Sequence, residues 1–190
     1  MRIVCLLGSP RTKGNSAALA KRFCDTAEKL GAQVQTFELN KLNYRDCQAC
    51  MACKTKLDKC ALQDDLAGVL DSVREADALV MTTPIYYGDV SSPIKAFIDR
   101  TYSYLVPNYL NQPKPSRLSP GKKLVFIQTQ TQPDEKLYAD VFTRNERFFN
   151  RYGFTETHLI RVGGVRNPGD VESRKEAMEL AEETAKKVMA

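Results

Sequence analysis

The sequence predicts an α/β protein: an open, doubly wound parallel sheet of five strands in the order 2-1-3-4-5, with helices on both faces. Three observations carry this. Five short apolar or alternating runs, at residues 3–7, 34–39, 78–82, 122–128 and 158–162, alternate with five stretches of helical periodicity. The run Ala78-Leu79-Val80-Met81-Thr82 is apolar enough to be a central parallel strand buried on both faces. Two loops of distinctive composition, at 8–16 and 83–93, follow the first and third strands. In this strand order those two strands flank the point where the order reverses, and ligands bind there at the carboxyl ends of the strands.

The elements follow in order. Ile3-Val4-Cys5-Leu6-Leu7 is a short buried strand, and Ala17-Ala18-Leu19-Ala20 opens a helix. Between them lies Gly8-Ser9-Pro10-Arg11-Thr12-Lys13-Gly14-Asn15-Ser16. Strand, small polar loop and helix N-terminus form an arrangement that holds a phosphate, because the first-turn N–H groups have no partners and the helix dipole favours negative charge there. Ser9, Asn15 and Ser16 add short side-chain donors, and Arg11 adds a cation with several N–H groups. The loop has neither the Walker A order nor Gly-x-Gly-x-x-Gly. Taken alone it also fits an ordinary strand-to-helix turn with Asn15 or Ser16 as N-cap.

The first helix spans about 15–30, with Leu19, Phe23, Ala27 and Leu30 on one face and Gly31 as its C-cap. Residues 34–39 alternate as a second strand, completing a right-handed βαβ unit. Residues 42–64 form a long excursion without periodicity, and its four thiols favour a functional role. Asp64-Asp65 caps a helix through Leu66, Val69, Leu70 and Val73. After the third strand, the 83–93 loop carries Tyr86, Tyr87 and Gly88. Ser92 and Pro93 then serve as N-cap and first residue of a helix through Ile94, Phe97 and Ile98 to about 104. Residues 107–121, rich in Pro, Asn and Ser, read as a surface loop. The fourth strand, 122–128, exits through a polar loop at 129–133. A helix over 134–152 places Leu137, Val141, Phe148 and Phe149 on its apolar side. Gly163-Gly164 ends the fifth strand. Pro168-Gly169-Asp170 starts a last helix to near Ala190, with Ala177, Leu180, Ala181, Thr184 and Val188 facing in.

A chain of 190 residues is one domain by size, with 43% hydrophobic and 27% charged residues as in ordinary globular proteins. No apolar run approaches the ~18–20 residues of a membrane span. The N-terminus enters a strand without the layout of a signal peptide, so a cytoplasmic protein is expected. The formal charge of +5 suits an anionic small ligand, and no basic run with interleaved aromatics marks a nucleic-acid surface. Six cysteines without a signal peptide argue against a disulfide framework; Cys5 and Cys24 read as core residues. A flat heteroaromatic ring with a phosphate tail fits the two loops, and FMN is the ligand they predict. Backbone groups at 85–88 reach the ring's polar edge while Tyr86 or Tyr87 packs against it.

Several motifs together resemble the NADPH-dependent FMN reductase family of the flavodoxin-like superfamily, including its iron-sulfur flavoprotein branch. They are Gly8-Ser9-Pro10-Arg11 with Gly14-Asn15-Ser16; Cys47, Cys50, Cys53 and Cys60 followed by Asp64-Asp65; Thr83-Pro84-Ile85-Tyr86-Tyr87-Gly88; Lys95-Ala96-Phe97-Ile98-Asp99-Arg100; and Pro168-Gly169-Asp170. The resemblance runs over nearly the whole chain. It implies non-covalent FMN with its phosphate on Ser9, Arg11, Asn15 and Ser16. The ring would lie against Pro84, Ile85, Tyr86, Tyr87 and Gly88, with Gln128 and Thr129 on its far side. It also implies NAD(P)H as co-substrate, a quinone, free flavin or similar small acceptor, and a homodimer or homotetramer. Because the flavin carries the chemistry, no catalytic triad is expected, and His158, the one histidine, is read as structural.

Cys47-x2-Cys50-x2-Cys53-x6-Cys60 supplies the usual ligand count of a [4Fe-4S] cluster, though it differs from the ferredoxin run in its last spacing and lacks the Pro. Zinc also accepts four thiolates, usually as two separated pairs. Three readings stay open: a cluster exchanging single electrons with ferredoxin-like proteins, thiols without metal as in simple flavin reductases, and zinc or a redox-active disulfide.

Overall fold

The computed structural model describes residues 1–190 as six strands and six helices. They are β1 (Arg2–Leu7), α1 (Asn15–Lys29), β2 (Gln33–Glu38), α2 (Ala52–Thr55), α3 (Asp65–Glu75), β3 (Ala78–Tyr86), β4 (Asp89–Val90), α4 (Ser92–Arg100), β5 (Lys122–Thr129), α5 (Asp140–Tyr152), β6 (Phe154–Val162) and α6 (Lys175–Met189). The main sheet runs β2-β1-β3-β5-β6, all parallel, and β4 pairs antiparallel with the tip of β3. With β5 and β6 as the fourth and fifth strands of the main sheet, this is the 2-1-3-4-5 order that the sequence predicts.

Strand periodicity splits the core into two layers. Val4, Leu6, Leu79, Met81, Leu124 and Phe126 face α3, α4 and α5, where Leu66, Ile94 and Phe149 are buried. Ile3, Cys5, Val80, Val125 and Ile127 face α1 and α6, where Leu19, Phe23, Ala181 and Val188 are buried. Each such apolar side chain contributes about 1.5–3 kcal/mol on burial. Cys5 and Cys24 lie in the second layer, as expected. The neighbouring Cys24 thiol and burial push the Cys5 thiol well above its ordinary pKa, so it stays neutral.

Several boundaries move for physical reasons. The N-cap of α1 is Gly14, not Asn15 or Ser16. β3 continues to Tyr86, so the 83–93 segment is a hairpin rather than a loop: Ile85 pairs with Val90 and Tyr86 with Asp89. α4 stops at Arg100 and one tight turn, Thr101–Tyr104, follows it. α5 begins at Asp140, not 134, because 134–139 forms turns in which Asp134 Oδ1 accepts the Lys136 N–H. Leu137 and Phe148, expected on the apolar side, are both about half exposed. Pro168-Gly169-Asp170 does not start the last helix: Asp170 Oδ2 accepts the N–H groups of Arg166 and Asn167 and holds a turn, and α6 begins at Lys175. Leu180 on α6 is partly exposed. The 107–121 segment is less of a free surface loop than its composition suggests, since Leu118 is buried and Leu105 bridges to Ser116. No helix is long and apolar enough to cross a membrane.

Candidate functional site

The carboxyl ends of β1 and β3 are stitched together. Gly8 N donates to the Thr82 carbonyl at 3.0 Å. Ser91 Oγ donates to the Gly8 carbonyl at 2.6 Å, and Ser91 N donates to Thr83 Oγ1 at 2.9 Å. The contact is close enough to require glycine: a Cβ on Gly8 would stand 2.1 Å from Ile94 Cγ1 and 2.6 Å from the Thr82 carbonyl oxygen. The two loops singled out by composition are thus one structural unit at the reversal point.

The first loop closes as a turn in which Gly14 N donates to the Arg11 carbonyl at 3.0 Å and Arg11 N donates to Ser9 Oγ at 3.1 Å. The first intrahelical bond of α1 runs from Ala18 N to the Gly14 carbonyl, and the N–H groups of Asn15, Ser16 and Ala17 find no protein acceptor. No acidic residue lies in the first turn. Arg11 and Lys13 are exposed, and Arg11 donates to the Arg166 carbonyl at 2.9 Å. Asn15 differs from its expected part. Its side chain is buried, with Nδ2 donating to the Asn167 carbonyl at 3.0 Å and Oδ1 accepting the Val171 N–H at 3.1 Å. It pins the 167–171 turn to α1, which leaves its backbone N–H free. The donor set of free N–H groups, the Ser9 and Ser16 hydroxyls and the Arg11 guanidinium fits a phosphate monoester.

Tyr87 and Gly88 form the hairpin turn, both with positive φ (49° and 79°). A left-handed tyrosine is uncommon, and strain of that kind gathers at binding sites. Pro84 and Ile85 are half-buried, Tyr86 is half-exposed and Tyr87 is fully exposed. The hairpin leans on the 134–139 turn, where Tyr138 lies beside Gly88, and Arg144 pairs with Asp89 at 3.2 Å. Gln128 and Thr129 lie at the carboxyl end of β5, in register with Thr83 and Pro84 at the base of the hairpin. Both are buried; Gln128 Nε2 donates to Gln130 Oε1 at 3.1 Å and to the Tyr138 carbonyl at 3.3 Å. The Gln128 amide thus braces the exit loop of β5, while its Oε1 has no partner. His158 sits mid-strand, paired to Glu156 at 2.7 Å.

A second constellation lies on the excursion after β2. Its neck is closed by carboxylates. Asp65 Oδ2 accepts the Asn43 N–H at 2.7 Å, and Asp64 Oδ2 accepts the Arg45 N–H at 3.1 Å. Asp64 is the N-cap residue of α3, as expected, but its side chain makes no cap hydrogen bond there. Asp64 instead pairs at 2.8 Å with Arg100, whose side chain is 0% exposed. Arg100 also donates to the carbonyls of Arg45 and Leu62, so α4 grips both ends of the excursion. Burial would raise the Asp64 pKa, but the Arg100 hydrogen bond and the Arg45 N–H outweigh it and hold the carboxyl below its ordinary value. This clamp was invisible in the sequence, where Asp-Asp before a helix has a local explanation.

Cys47, Cys50, Cys53 and Cys60 all line one small cavity, together with Arg100 and Tyr102. All four are free thiols, two exposed and two half-buried. Ala49 and Met51, on either side of Cys50, both have left-handed backbone (φ 49° and 58°), so the chain is bent sharply around the cavity. No three of these groups converge as closely as ligands of a single ion do. Ligands of a cluster stand further apart, since several iron and sulfide atoms lie between them. Cys47 also borders a cavity of about 720 Å³ between α4 and α5, which Asp89 and Arg144, the ion pair beside the hairpin, line as well.

Residues 1–133 match the family model described as NADPH-dependent FMN reductase. The chain is 35% identical over 109 residues to an iron-sulfur flavoprotein of Archaeoglobus fulgidus, covering 57% of this chain and 53% of that one. It is 30% identical over 101 residues to an iron-sulfur flavoprotein of Methanocaldococcus jannaschii, covering 53% and 52%. The chain therefore spans about half the length of the curated relatives it matches. Among solved structures, it resembles an FMN-dependent NADH-azoreductase from Bacillus anthracis in complex with FMN (TM-score 0.76, 16% identity, 100% of both chains). It also resembles an NAD(P)H:quinone oxidoreductase from Methanothermobacter marburgensis (TM-score 0.76, 18% identity, 100% and 98%). At that identity the likeness shows the fold, which is flavodoxin-like.

Proposed function

The chain belongs to the NADPH-dependent FMN reductase family, and on that premise we propose that it is an FMN-dependent oxidoreductase carrying reducing equivalents from NAD(P)H to a small acceptor such as a quinone or free flavin. The observation that carries this reading is the pair of loops stitched through Gly8 at the reversal point, with three N–H groups in the first turn of α1 that have no protein acceptor. Ser9, Arg11, Ser16 and the N–H groups of 15–17 would hold the phosphate. Pro84, Ile85, Tyr86, Tyr87 and Gly88 would lie along the ring, with the two exposed tyrosines as the aromatic surface. Bound FMN supplies the redox chemistry. The protein's part is to hold the phosphate, orient the ring and leave one of its faces open to nicotinamide and acceptor.

Arg11→Ala tests the phosphate assignment. A charged hydrogen bond is worth about 1.5–3 kcal/mol, so FMN affinity is expected to fall about 10- to 150-fold. Riboflavin, which has no phosphate, is expected to bind wild type and variant alike. An equal loss for both flavins, measured by titration of the apoprotein, would remove Arg11 from the phosphate site.

A second reading is favoured by the four-cysteine cavity. In it Cys47, Cys50, Cys53 and Cys60 hold a [4Fe-4S] cluster, which supplies one-electron exchange with ferredoxin-like partners. Absorption spectra of anaerobically purified protein, with iron and acid-labile sulfide assays, separate the two. Flavin with about four irons and four sulfides per chain supports the cluster. Flavin without iron overturns the cluster reading, and a chain that takes up no flavin overturns the proposed function.

A further inference from the structure

Arg100 lines the four-cysteine cavity, Lys54 and Arg117 both bond to Cys53 on its wall, and a single carboxylate answers the three cations. Arg100 takes that carboxylate, Asp64. Lys54 and Arg117 have no acidic partner. Both donate to the same acceptor, the Leu105 carbonyl, Lys54 Nζ at 2.8 Å and Arg117 through Nη1. Lys54 also donates to the Tyr102 carbonyl at 2.6 Å and lies 4.0 Å from the centroid of the Tyr102 ring. Its remaining donor reaches Cys53 Sγ at 3.6 Å. Arg117 donates to the Cys53 carbonyl at 3.0 Å and the Ser103 carbonyl at 2.8 Å. Arg100 Nε, buried on the cavity wall, has no partner.

Two like charges on one carbonyl oxygen repel each other, and part-buried cations without anions are unfavourable. Neutral thiols, or two disulfides, would leave the charge of Lys54 and Arg117 unanswered. Four thiolates around a [4Fe-4S] core carry a net charge of about −2, which matches the two unpaired cations. One-electron reduction of such a centre adds a further negative charge beside them. An N–H···S bond to a ligand sulfur favours that reduced form, and so does a cation within contact distance.

The geometry points to Lys54 as the residue that sets the reduction potential of a tetrathiolate centre on Cys47, Cys50, Cys53 and Cys60. It acts through its Nζ–H···Sγ bond to Cys53, with Arg117, which donates to the Cys53 carbonyl, as the second cation beside that residue. This inference rests on the cluster reading above. Its test uses the anaerobically reconstituted full chain as wild type, Lys54→Met and Lys54→Arg, with iron and sulfide content and the midpoint potential read for each. The expected result is a midpoint shifted to more negative potential in Lys54→Met at unchanged iron content, and brought back toward wild type in Lys54→Arg. Loss of iron in Lys54→Met with retention in Lys54→Arg would make Lys54 a residue of cluster retention rather than of potential, and overturns the inference. Equal potentials in wild type and Lys54→Met, a shift in the positive direction, or loss of iron in both variants overturns the inference while the cluster reading stands. Wild type that takes up no iron overturns both.

Discussion

Asp64→Ala is expected to destabilise the protein by about 3–5 kcal/mol, the usual penalty for leaving one member of a buried ion pair alone. The Arg100 side chain is wholly buried, and Asp64 Oδ2, at 2.8 Å, is its only carboxylate partner. Its other partners are the carbonyls of Arg45 and Leu62, which belong to the excursion that Asp64 also helps to close. The loss therefore couples to release of the whole 42–64 segment. The double variant Asp64→Ala/Arg100→Met is expected to recover most of the stability, since an apolar replacement of a buried pair is often neutral. Denaturant midpoints of the three proteins measure this. The pH dependence has a defined sign. The Asp64 carboxyl is held below its ordinary value in the fold. Its contribution is fully present above the unfolded carboxylate pKa of about 3.9 and is lost as pH falls through the folded value. The stability gap between wild type and Asp64→Ala should narrow in acid and be constant near neutrality.

Gly8→Ala is the second large effect. The new methyl would meet Ile94 Cγ1 at 2.1 Å and the Thr82 backbone oxygen at 2.6 Å. Ile94 can shift its side chain, but Thr82 belongs to the central strand and accepts the Gly8 N–H. Overpacking of this kind costs about 1–3 kcal/mol. The greater consequence is at the site, because β1 and β3 must separate and the Ser91 bond to the Gly8 carbonyl is strained. FMN affinity is expected to fall by more than about tenfold, the equivalent of one displaced charged hydrogen bond. Gly14→Ala is the control. Its methyl would come no closer than 3.1 Å, to the Arg11 carbonyl, at an N-cap of ordinary φ, so both effects should be smaller. Retained FMN affinity in Gly8→Ala would mean that the stitching of the two loops is not what shapes the cradle.

The strand order and the reversal point were legible in the sequence because buried parallel strands are continuous apolar runs and the helices between them carry one apolar face. The place of the first loop, between β1 and α1 at the reversal point, was legible because the apolar run ends at Leu7 and helical periodicity begins past Gly14. What escaped reading was tertiary choice. Asp64 and Asp65 have a local use as helix caps, and only the fold shows that Arg100 and the Asn43 and Arg45 N–H groups claim them. Asn15 is a good donor by composition, yet the 167–171 turn, distant in sequence, takes both ends of its amide. Tyr86-Tyr87-Gly88-Asp89 reads as a loop because Pro84 interrupts the strand signal and tyrosine rarely adopts positive φ. The antiparallel pairing with Asp89 and Val90 overrides both. Lys54 and Arg117 are 63 residues apart in the sequence (117 − 54) and share one carbonyl. No spacing rule links them.

The central claim is that the two stitched loops hold FMN by its phosphate. The most direct measurement is an equilibrium titration of the flavin-free full chain with FMN and, separately, with riboflavin. The expected result is one FMN per chain, bound at least about tenfold more tightly than riboflavin, as the charged phosphate contacts require. Equal affinity for the two flavins, or no binding of either, would contradict it.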